Sequence, residues 1–462
     1  MSAYVPPRPP AHARKLGPLR RFGLLAHSSI HALYERSYDM KMGAVRGPTR
    51  RYVFLNDVPE VSRVLAADPD RYPKSDLMGA TLRQLLGESV FVTNGETWRA
   101  QRRMLDPAFA HARIRAAFAP MMEAAADMLD RLAPLATGDS VPIDLEMTHV
   151  TADIIFRTIF SRPLSRENAE TIFLAFERYQ ELAWRHGVWM MSGVPERLSL
   201  PRLRAKGPAR VIRDILGRSV DERLATMGGG NEPPDDILQG MVEARDPETG
   251  RALGREELID QVAITFLAGH ETSASALAWT LFLLSRHPEH RERVEREADA
   301  FWHGGANPAA LRRLAHTRDC FREAMRLYPP VAFVPRDTPF DETIRDRPIR
   351  RGSVLFLSPY LMHRQRRIWS NPDGFDPDRF SRPCERRAVR DAYMPFIRGP
   401  RACPGASFAM QEGAIVLSAI ASRFHVEADS SHEPRPMSRL TLRSENGIRI
   451  RLRVRSTEPS SS

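Results

Sequence analysis

Between residues 256 and 287 apolar side chains fall on nearly every side of a helical wheel: Val262, Ile264, Phe266, Leu267, Leu277, Trp279, Leu281, Phe282, Leu283 and Leu284. A stretch that is apolar all round predicts a long helix buried inside a protein rather than lying on its surface. Gly269, His270, Glu271 and Thr272 interrupt that texture in the middle, and Pro288 marks its end. Further helices read at 144–160, 166–184, 289–301, 316–327 and 406–424. From 96 to 135 the pattern is helical, with breaks near Pro107 and Pro120. Asp57 ahead of Val58-Pro59 looks like a helix start, a cap followed by an early proline. Alternation marks a strand at Arg51–Leu55, and β-like runs return at Val354–Leu357 and 440–454. The first 20 residues hold Pro6, Pro7, Pro9, Pro10 and Pro18 and read as an extended, mobile arm. Residues 228–234, rich in Gly and Pro, read as a linker or a surface loop, and 369–404 as a long irregular stretch. The pattern predicts a mostly α chain with a minor β part.

Composition narrows the class. The chain has 462 residues, 42% hydrophobic and 27% charged, which is a globular rather than a disordered balance. Length alone allows roughly three domains. Cys320, Cys384 and Cys403 are too few for a disulfide scaffold, so a reducing compartment is expected and any cysteine that matters acts alone. No apolar run approaches the roughly 18 residues of a membrane span. Met1 to Arg21 lacks the apolar core of a secretory signal, so a cytoplasmic location is expected. Basic residues exceed acidic by 68 − 57 = 11. Such a surface invites nucleic acid, anionic lipid or an acidic protein. Lysine occurs at 15, 41, 74 and 206, and the rest of the basic charge is arginine. The arginines are dispersed and present no helix face for a groove, which argues against nucleic acid. The apolar 184–191 stretch with basic neighbours leaves peripheral membrane contact open.

The sharpest chemistry lies in Phe396-Ile397-Arg398-Gly399-Pro400-Arg401-Ala402-Cys403-Pro404-Gly405. A cysteine sits in a loop shaped by Gly and Pro, beside Arg401, and leads straight into a helix. Free backbone N–H groups and the positive helix end are expected to lower its pKa. Thiolate is the form that binds metal or attacks substrates. Gly399 and Gly405 would let the backbone approach a flat ligand.

This segment resembles the haem-binding loop of the haem-thiolate monooxygenases, the cytochrome P-450 family. Their pattern is Phe-x-x-Gly-x-Arg-x-Cys-x-Gly, and each fixed position is met. The resemblance implies that Cys403 is the axial thiolate of haem b (iron protoporphyrin IX). It implies that Arg401 pairs with a haem propionate and that Phe396 packs near the proximal face.

Other segments match the same family in the same order. Ala268-Gly269-His270-Glu271-Thr272 resembles the oxygen-activation motif of the central helix. A carboxylate and a hydroxyl inside an apolar helix are costly unless used. A Thr hydroxyl can also compete for a helical carbonyl and open a local bulge. The resemblance assigns Thr272 to hydrogen-bonding dioxygen and Glu271 to proton delivery, places Ala268 and Gly269 against the cofactor, and leaves His270 outside the chemistry. Glu323 and Arg326 at i, i+3 resemble the Glu-x-x-Arg pair, joined by Arg379 from Phe375-Asp376-Pro377-Asp378-Arg379-Phe380. That implied triad is structural: Arg forks satisfy a buried carboxylate at two points. Trp98 and Arg102, on one helical face, and Arg336 after Pro335 resemble the positions that reach the propionates. After His363 the family often carries an acid where this chain has Gln365-Arg366-Arg367.

The resemblance spans residues 50 to 455 and replaces several domains with one: an arm and first helix over 1–45, a monooxygenase domain over 46–455 and a flexible tail over 456–462. It implies activation of O2 and insertion of one oxygen atom into an apolar substrate, such as a terpenoid, a fatty acid or an aromatic. Pocket candidates come from 77–92, 184–194, 262–276 and 331–334, among them Leu86, Phe91, Trp189, Met190, Phe266, Val331 and Phe333. No flavin or nicotinamide segment is visible. Electrons would come from a ferredoxin or flavodoxin with its reductase, steered to a face including Arg398, Arg99 and Arg103. The rival readings are a peroxide-dependent or isomerising haem-thiolate enzyme, and a haem sensor without turnover. The Glu271–Thr272 pair argues against each.

Overall fold

The computed structural model describes residues 4–226 and 233–455. The apolar stretch forms one uninterrupted helix, Arg255–Arg286. Its start is fixed by Glu257, whose carboxylate accepts the Gly254 N–H at 2.9 Å. Pro288 does not merely stop it. Proline fits the first turn of a helix, and Pro288–Trp302 begins there. Helices Ile143–Phe160, Ala315–Leu327 and Ala406–Arg423 surround the central helix and share its main apolar core. Two long antiparallel helices, Arg166–Met191 and Leu200–Thr226, lie across it. The first runs past the predicted end at 184 because His186, Gly187 and Val188 are themselves buried. In the 96–135 region, helix Gly95–Leu105 gives way to a short turn containing Pro107. Pro120, by contrast, sits in the first turn of Phe118–Leu132, where a missing N–H costs nothing, so the break falls at Ala117.

The β part is small. Met42–Arg46, Arg51–Leu55, Val354–Leu357 and Val334–Asp337 form a four-stranded sheet in that order. Arg51–Leu55 and Val354–Leu357 run parallel, and the other neighbours are antiparallel. A second apolar cluster, with Val53, Leu55, Leu355 and Leu357, covers the sheet. The strand-like 440–454 segment resolves into Leu442–Ser444, paired with Pro436–Ser438, and Arg449–Val454, paired with Phe424–Ala428 and Thr137–Pro142.

The expected boundary at residue 45 falls inside a strand, Met42–Arg46, and would cut the sheet. The proline-rich arm is extended but tied down. Its prolines offer carbonyls, and Tyr328 donates its hydroxyl to that of Pro7 at 2.8 Å, while Tyr4 reaches Glu433 at 2.8 Å. In the Gln365-Arg366 departure, Arg366 ties down the segment that follows the arm and Gln365 the end of strand Arg51–Leu55. Gln365 donates to the Asn56 carbonyl at 2.9 Å, and Arg366 holds Glu35 at 3.0 Å and Asp39 at 3.2 Å. Residues 227–232 of the predicted loop and the tail 456–462 lie outside the described residues. Among the described residues no helix is long and apolar enough to cross a membrane.

Candidate active site

The cysteine loop follows helix Arg386–Ala392. Its backbone tightens where Ile397 and Gly399 take positive φ of 58° and 76°. A Cβ on Gly399 would sit 2.0 Å from the Leu65 carbonyl oxygen, near the end of helix Val58–Ala66. Gly399 is therefore fixed by a neighbouring helix, a cause other than the flat ligand its position suggested. The Cys403 N–H donates to the Phe396 carbonyl at 2.9 Å and closes the loop. A Cβ on Gly405 would lie 3.9 Å from the Cys403 sulfur, an ordinary contact, so the fold alone does not demand glycine at this position.

The thiol does not behave as expected. Burial pushes its pKa up, and the Gly405 N–H and the Arg102 charge pull it down without prevailing. Desolvation of a thiolate outweighs one amide dipole and one distant cation. The free thiol is thus held protonated, and a metal ion has to displace that proton.

Across from the loop, the central helix shows an open stripe. Ala268 is exposed although Phe266, Leu267, His270 and Glu271 beside it are buried, and Thr265, Gly269 and Thr272 share its partial exposure. These positions recur at three- and four-residue spacing, which is one helical face. The Cys403 thiol, deep in the fold, is likewise open. The open face and the open cysteine both lie on segments that otherwise pack into the core, which marks them as candidate lining for a guest. The Thr272 hydroxyl donates to the Ala268 carbonyl at 2.6 Å. The helix is nonetheless regular through this turn, and the expected bulge is not formed. Gly269 also has a different cause from the one expected: a Cβ there would meet Ile155 at 2.9 Å, so it permits close approach of Ile143–Phe160. Phe266, expected in the pocket, is fully buried, its ring 5.1 Å from His270 and 6.3 Å from Phe156. Trp189 and Phe91 are partly open, at 36% and 38% exposure. Burial pushes the His270 ring toward its neutral form, consistent with a packing role. Glu271 turns to a different side, where it accepts from Gln180 Nε2 at 3.0 Å and Thr441 Oγ1 at 2.8 Å.

One edge of the site gathers cations. Arg401 lies 4.9 Å over the Trp98 ring, donates to Asn94 Oδ1 at 2.9 Å, and keeps Nε unpartnered. Burial pushes it down to about 10. Arg336 is 6% exposed and, among the described residues, bonds the carbonyl of Pro335 at 3.0 Å and no carboxylate. Burial first, then Arg401, pushes it down to about 9. Arg102 holds Asp106 at 2.5 Å and the Ala402 carbonyl at 3.1 Å. A fourth cation escaped the sequence reading. Lys74 donates to the carbonyls of Val90 at 2.6 Å and Thr93 at 2.9 Å, and bridges to the Arg336 strand. Burial, then Arg401, Arg336 and Arg102, push it down to about 6. The one available signal was its rarity, a lysine in an arginine-dominated chain. Guanidinium and ammonium groups crowded this closely, with a free Nε among them, form a donor set for a guest carrying carboxylates. The two propionates of haem fit it. By contrast Arg99 and Arg103, expected to steer a redox donor, are held by Asp68 and Asp70 and by Asp246, Glu96 and Glu248. Arg398 is turned inward onto the carbonyls of Asp391 and Tyr393.

The triad forms. Arg326 takes Glu323 with two bonds of 2.8 Å, and Arg379 Nε reaches the same carboxylate at 3.0 Å. All three are fully buried.

The cytochrome P450 family model matches residues 9–451. The chain is 31% identical over 397 residues to cyclooctatin synthase of Streptomyces melanosporofaciens, covering 85% of this chain and 84% of that protein. It is 30% identical over 465 residues to cytochrome P450 4A24 of Sus scrofa, covering 97% and 90%. Cyclooctat-9-en-7-ol 5-monooxygenase of Streptomyces melanosporofaciens is 30% identical over 382 residues, covering 82% and 81%. On that match, carried by a mostly α fold, the chain belongs to the cytochrome P450 family and is an oxidoreductase of the monooxygenase type.

Proposed function

We propose that the protein inserts one atom of dioxygen into an apolar small molecule, using haem b and electrons from a separate protein. The observation that carries this reading is the open Cys403 thiol and the open Ala268–Thr272 face, with uncompensated cations at one edge. Cys403 would ligate the iron. Arg336, Arg401, Arg102, Lys74 and the Trp98 indole would hold the propionates, while Phe396 anchors the loop by its carbonyl. When bound, haem supplies the iron centre at which dioxygen is activated. The chain supplies the rest. Thr272 can rotate its hydroxyl from the Ala268 carbonyl to a guest against the open face, and the Glu271 carboxyl, one residue earlier, is the group assigned to proton delivery. Ala268 gives the same face a methyl group, and excluding water there strengthens each remaining polar contact. Relatives named as a cyclooctat-9-en-7-ol 5-monooxygenase and a taurochenodeoxycholic 6 alpha-hydroxylase support oxygenation of an organic molecule as the class of reaction. For the electron donor, Arg386, Arg387 and Arg390 are exposed on the helix leading into the loop, with Asp391 as their acid neighbour. They suit an acidic ferredoxin or flavodoxin.

The test is incubation of the holoenzyme with a ferredoxin–reductase pair and a panel of apolar compounds under 18O2. A product carrying one 18O atom is expected. Turnover with hydrogen peroxide but none with O2 and reductant would favour the peroxide-dependent reading instead.

The cation cluster gives a second expected result. At pH 8 the haem-free protein holds Lys74 neutral, since its pKa is near 6. Propionates beside it restore the charge, so haem uptake should draw about one proton to Lys74 while ligation releases about one from Cys403. Titration in weak buffer should therefore show near cancellation in the wild type and net release of about one proton in Lys74→Met. The sign also sets haem-free stability. A lysine depressed from 10.5 to about 6 weakens the fold progressively as pH falls through that interval. Equal proton release in both proteins would remove Lys74 from the haem site.

A further inference from the structure

The carboxylate of Glu271 is clasped by two residues from separate elements, neither of which the motif contains. Gln180 comes from the long helix Arg166–Met191. Thr441 comes from the turn between strands Pro436–Ser438 and Leu442–Ser444. Both donate to the same oxygen, Glu271 Oε1, at 3.0 and 2.8 Å. We propose that the Thr441 hydroxyl is the group through which Glu271 exchanges protons with solvent, and that Gln180 is a positioning residue for it. This rests on the reading of Glu271 as the proton source.

The two donors are chemically unlike. Thr441 Oγ1 lies 2.8 Å from Glu271 Oε1 and 3.0 Å from Gln180 Oε1. A hydroxyl has one hydrogen, so it serves one of these acceptors at a time. Its lone pairs can accept a proton from water while its own hydrogen passes to the Glu271 carboxylate, and the reverse step returns it. An amide of Gln180 holds the carboxylate but passes no proton. Exposure rises along the same path: Gln180 is 1% and Glu271 7% exposed, and Thr441 is half-buried. The turn is also held in register with the central helix. The Leu442 N–H donates to the Pro330 carbonyl at 2.8 Å, and Ser275, one turn beyond Glu271, donates to the Leu442 carbonyl at 2.5 Å. The charged groups on the packed elements include His270 beside Glu271, Glu177, Arg178, Glu181 and Arg185 on the long helix, and Arg439, Arg443 and Glu445 on and beside the turn. Arg443 is paired to Glu177 at 3.2 Å.

The test uses the haem-loaded protein fed by a ferredoxin–reductase pair without organic substrate. Oxygen uptake and released hydrogen peroxide are measured in H2O and D2O. Thr441→Val is expected to lower reduction of oxygen beyond peroxide by roughly tenfold or more and to alter its solvent isotope effect. Thr441→Ser restores both. Gln180→Leu reduces the yield with the isotope effect retained. Independently of turnover, the carboxylate infrared band of Glu271, isolated against Glu271→Gln, should shift in frequency in Thr441→Val and Gln180→Leu, with or without haem, because each removes one hydrogen bond to the carboxylate. If Glu271→Gln lowers water formation and Thr441→Val does not, the relay is wrong and the role of Glu271 survives. If Glu271→Gln itself has no effect, the role of Glu271 falls and the relay with it. Thr441→Ala replaces Thr441→Val should the valine variant melt early, and is read by the same outcomes.

Discussion

Cys403→Ser is expected to remove the thiolate signature from the difference spectrum of the reduced protein with carbon monoxide, and oxygenation with it. Serine keeps the loop's volume and its N–H bond to Phe396, which is made by the backbone. What it lacks is an ionisable group of useful acidity. The thiol at 403 already sits above its ordinary pKa because burial disfavours the anion, and iron binding must overcome that. An alcohol starts several units higher again, so the serine oxygen stays protonated and a weak ligand. The haem-free fold should hardly notice. Cys403 is open and its side chain makes no hydrogen bond that the fold depends on, so the loss should stay at the small end of the usual range, about 0.5–1 kcal/mol. The pairing is diagnostic: unchanged melting of the haem-free chain together with a lost thiolate signature. A serine variant whose spectrum matches the wild type would exclude Cys403 as the ligand.

How far the sequence foretold this site depends on the range over which each feature is encoded. The central helix and the cysteine loop are written locally, in periodicity and in Gly and Pro positions, and both are found where expected. Gly399 and Gly269 were the right residues with the wrong cause. Their constraint comes from Leu65 and Ile155, which are distant in the chain. The thiol's pKa was misjudged because proximity to a helix end is visible in sequence and depth of burial is not. Phe266 illustrates the same gap, since spacing places it on the central helix but cannot say which neighbour covers it. Lys74, Gln180 and Thr441 carried no local signal. Lys74 works through carbonyls, and Gln180 and Thr441 meet Glu271 across 91 and 170 residues. The arm was read correctly as extended, but its attachment depends on Tyr328, and that of the segment after it on Arg366, both on the far side of the sequence.

The triad should give the largest loss of stability. Glu323, Arg326 and Arg379 are fully buried, so neither solvent nor salt screens them. The arrangement is saturated. Besides Glu323, Arg326 donates to the carbonyls of His363, Pro372 and Gly374 at 2.7–2.8 Å, and Arg379 to those of Ser370 and Asn371. Glu323 also accepts the Asp376 N–H at 3.0 Å. The two guanidiniums therefore clamp residues 363–376 onto helix Ala315–Leu327, upstream of the cysteine loop. Glu323→Gln keeps the shape and removes the charge, leaving two buried cations facing an amide. The expected cost is about 3–5 kcal/mol, a large share of the 5–15 kcal/mol typical of a folded protein. Replacing all three together by apolar residues of similar volume should cost less in charge terms, because no lone ion remains. It would still orphan the carbonyls of His363, Pro372, Gly374, Ser370 and Asn371 at about 1–3 kcal/mol each, so it should cost more than Glu323→Gln. Denaturant unfolding of the haem-free and haem-loaded forms measures this. A midpoint for Glu323→Gln equal to that of the wild type would mean the triad is not what fastens this segment. A loss confined to the haem-loaded form would place its role in shaping the ligand loop instead of holding the fold.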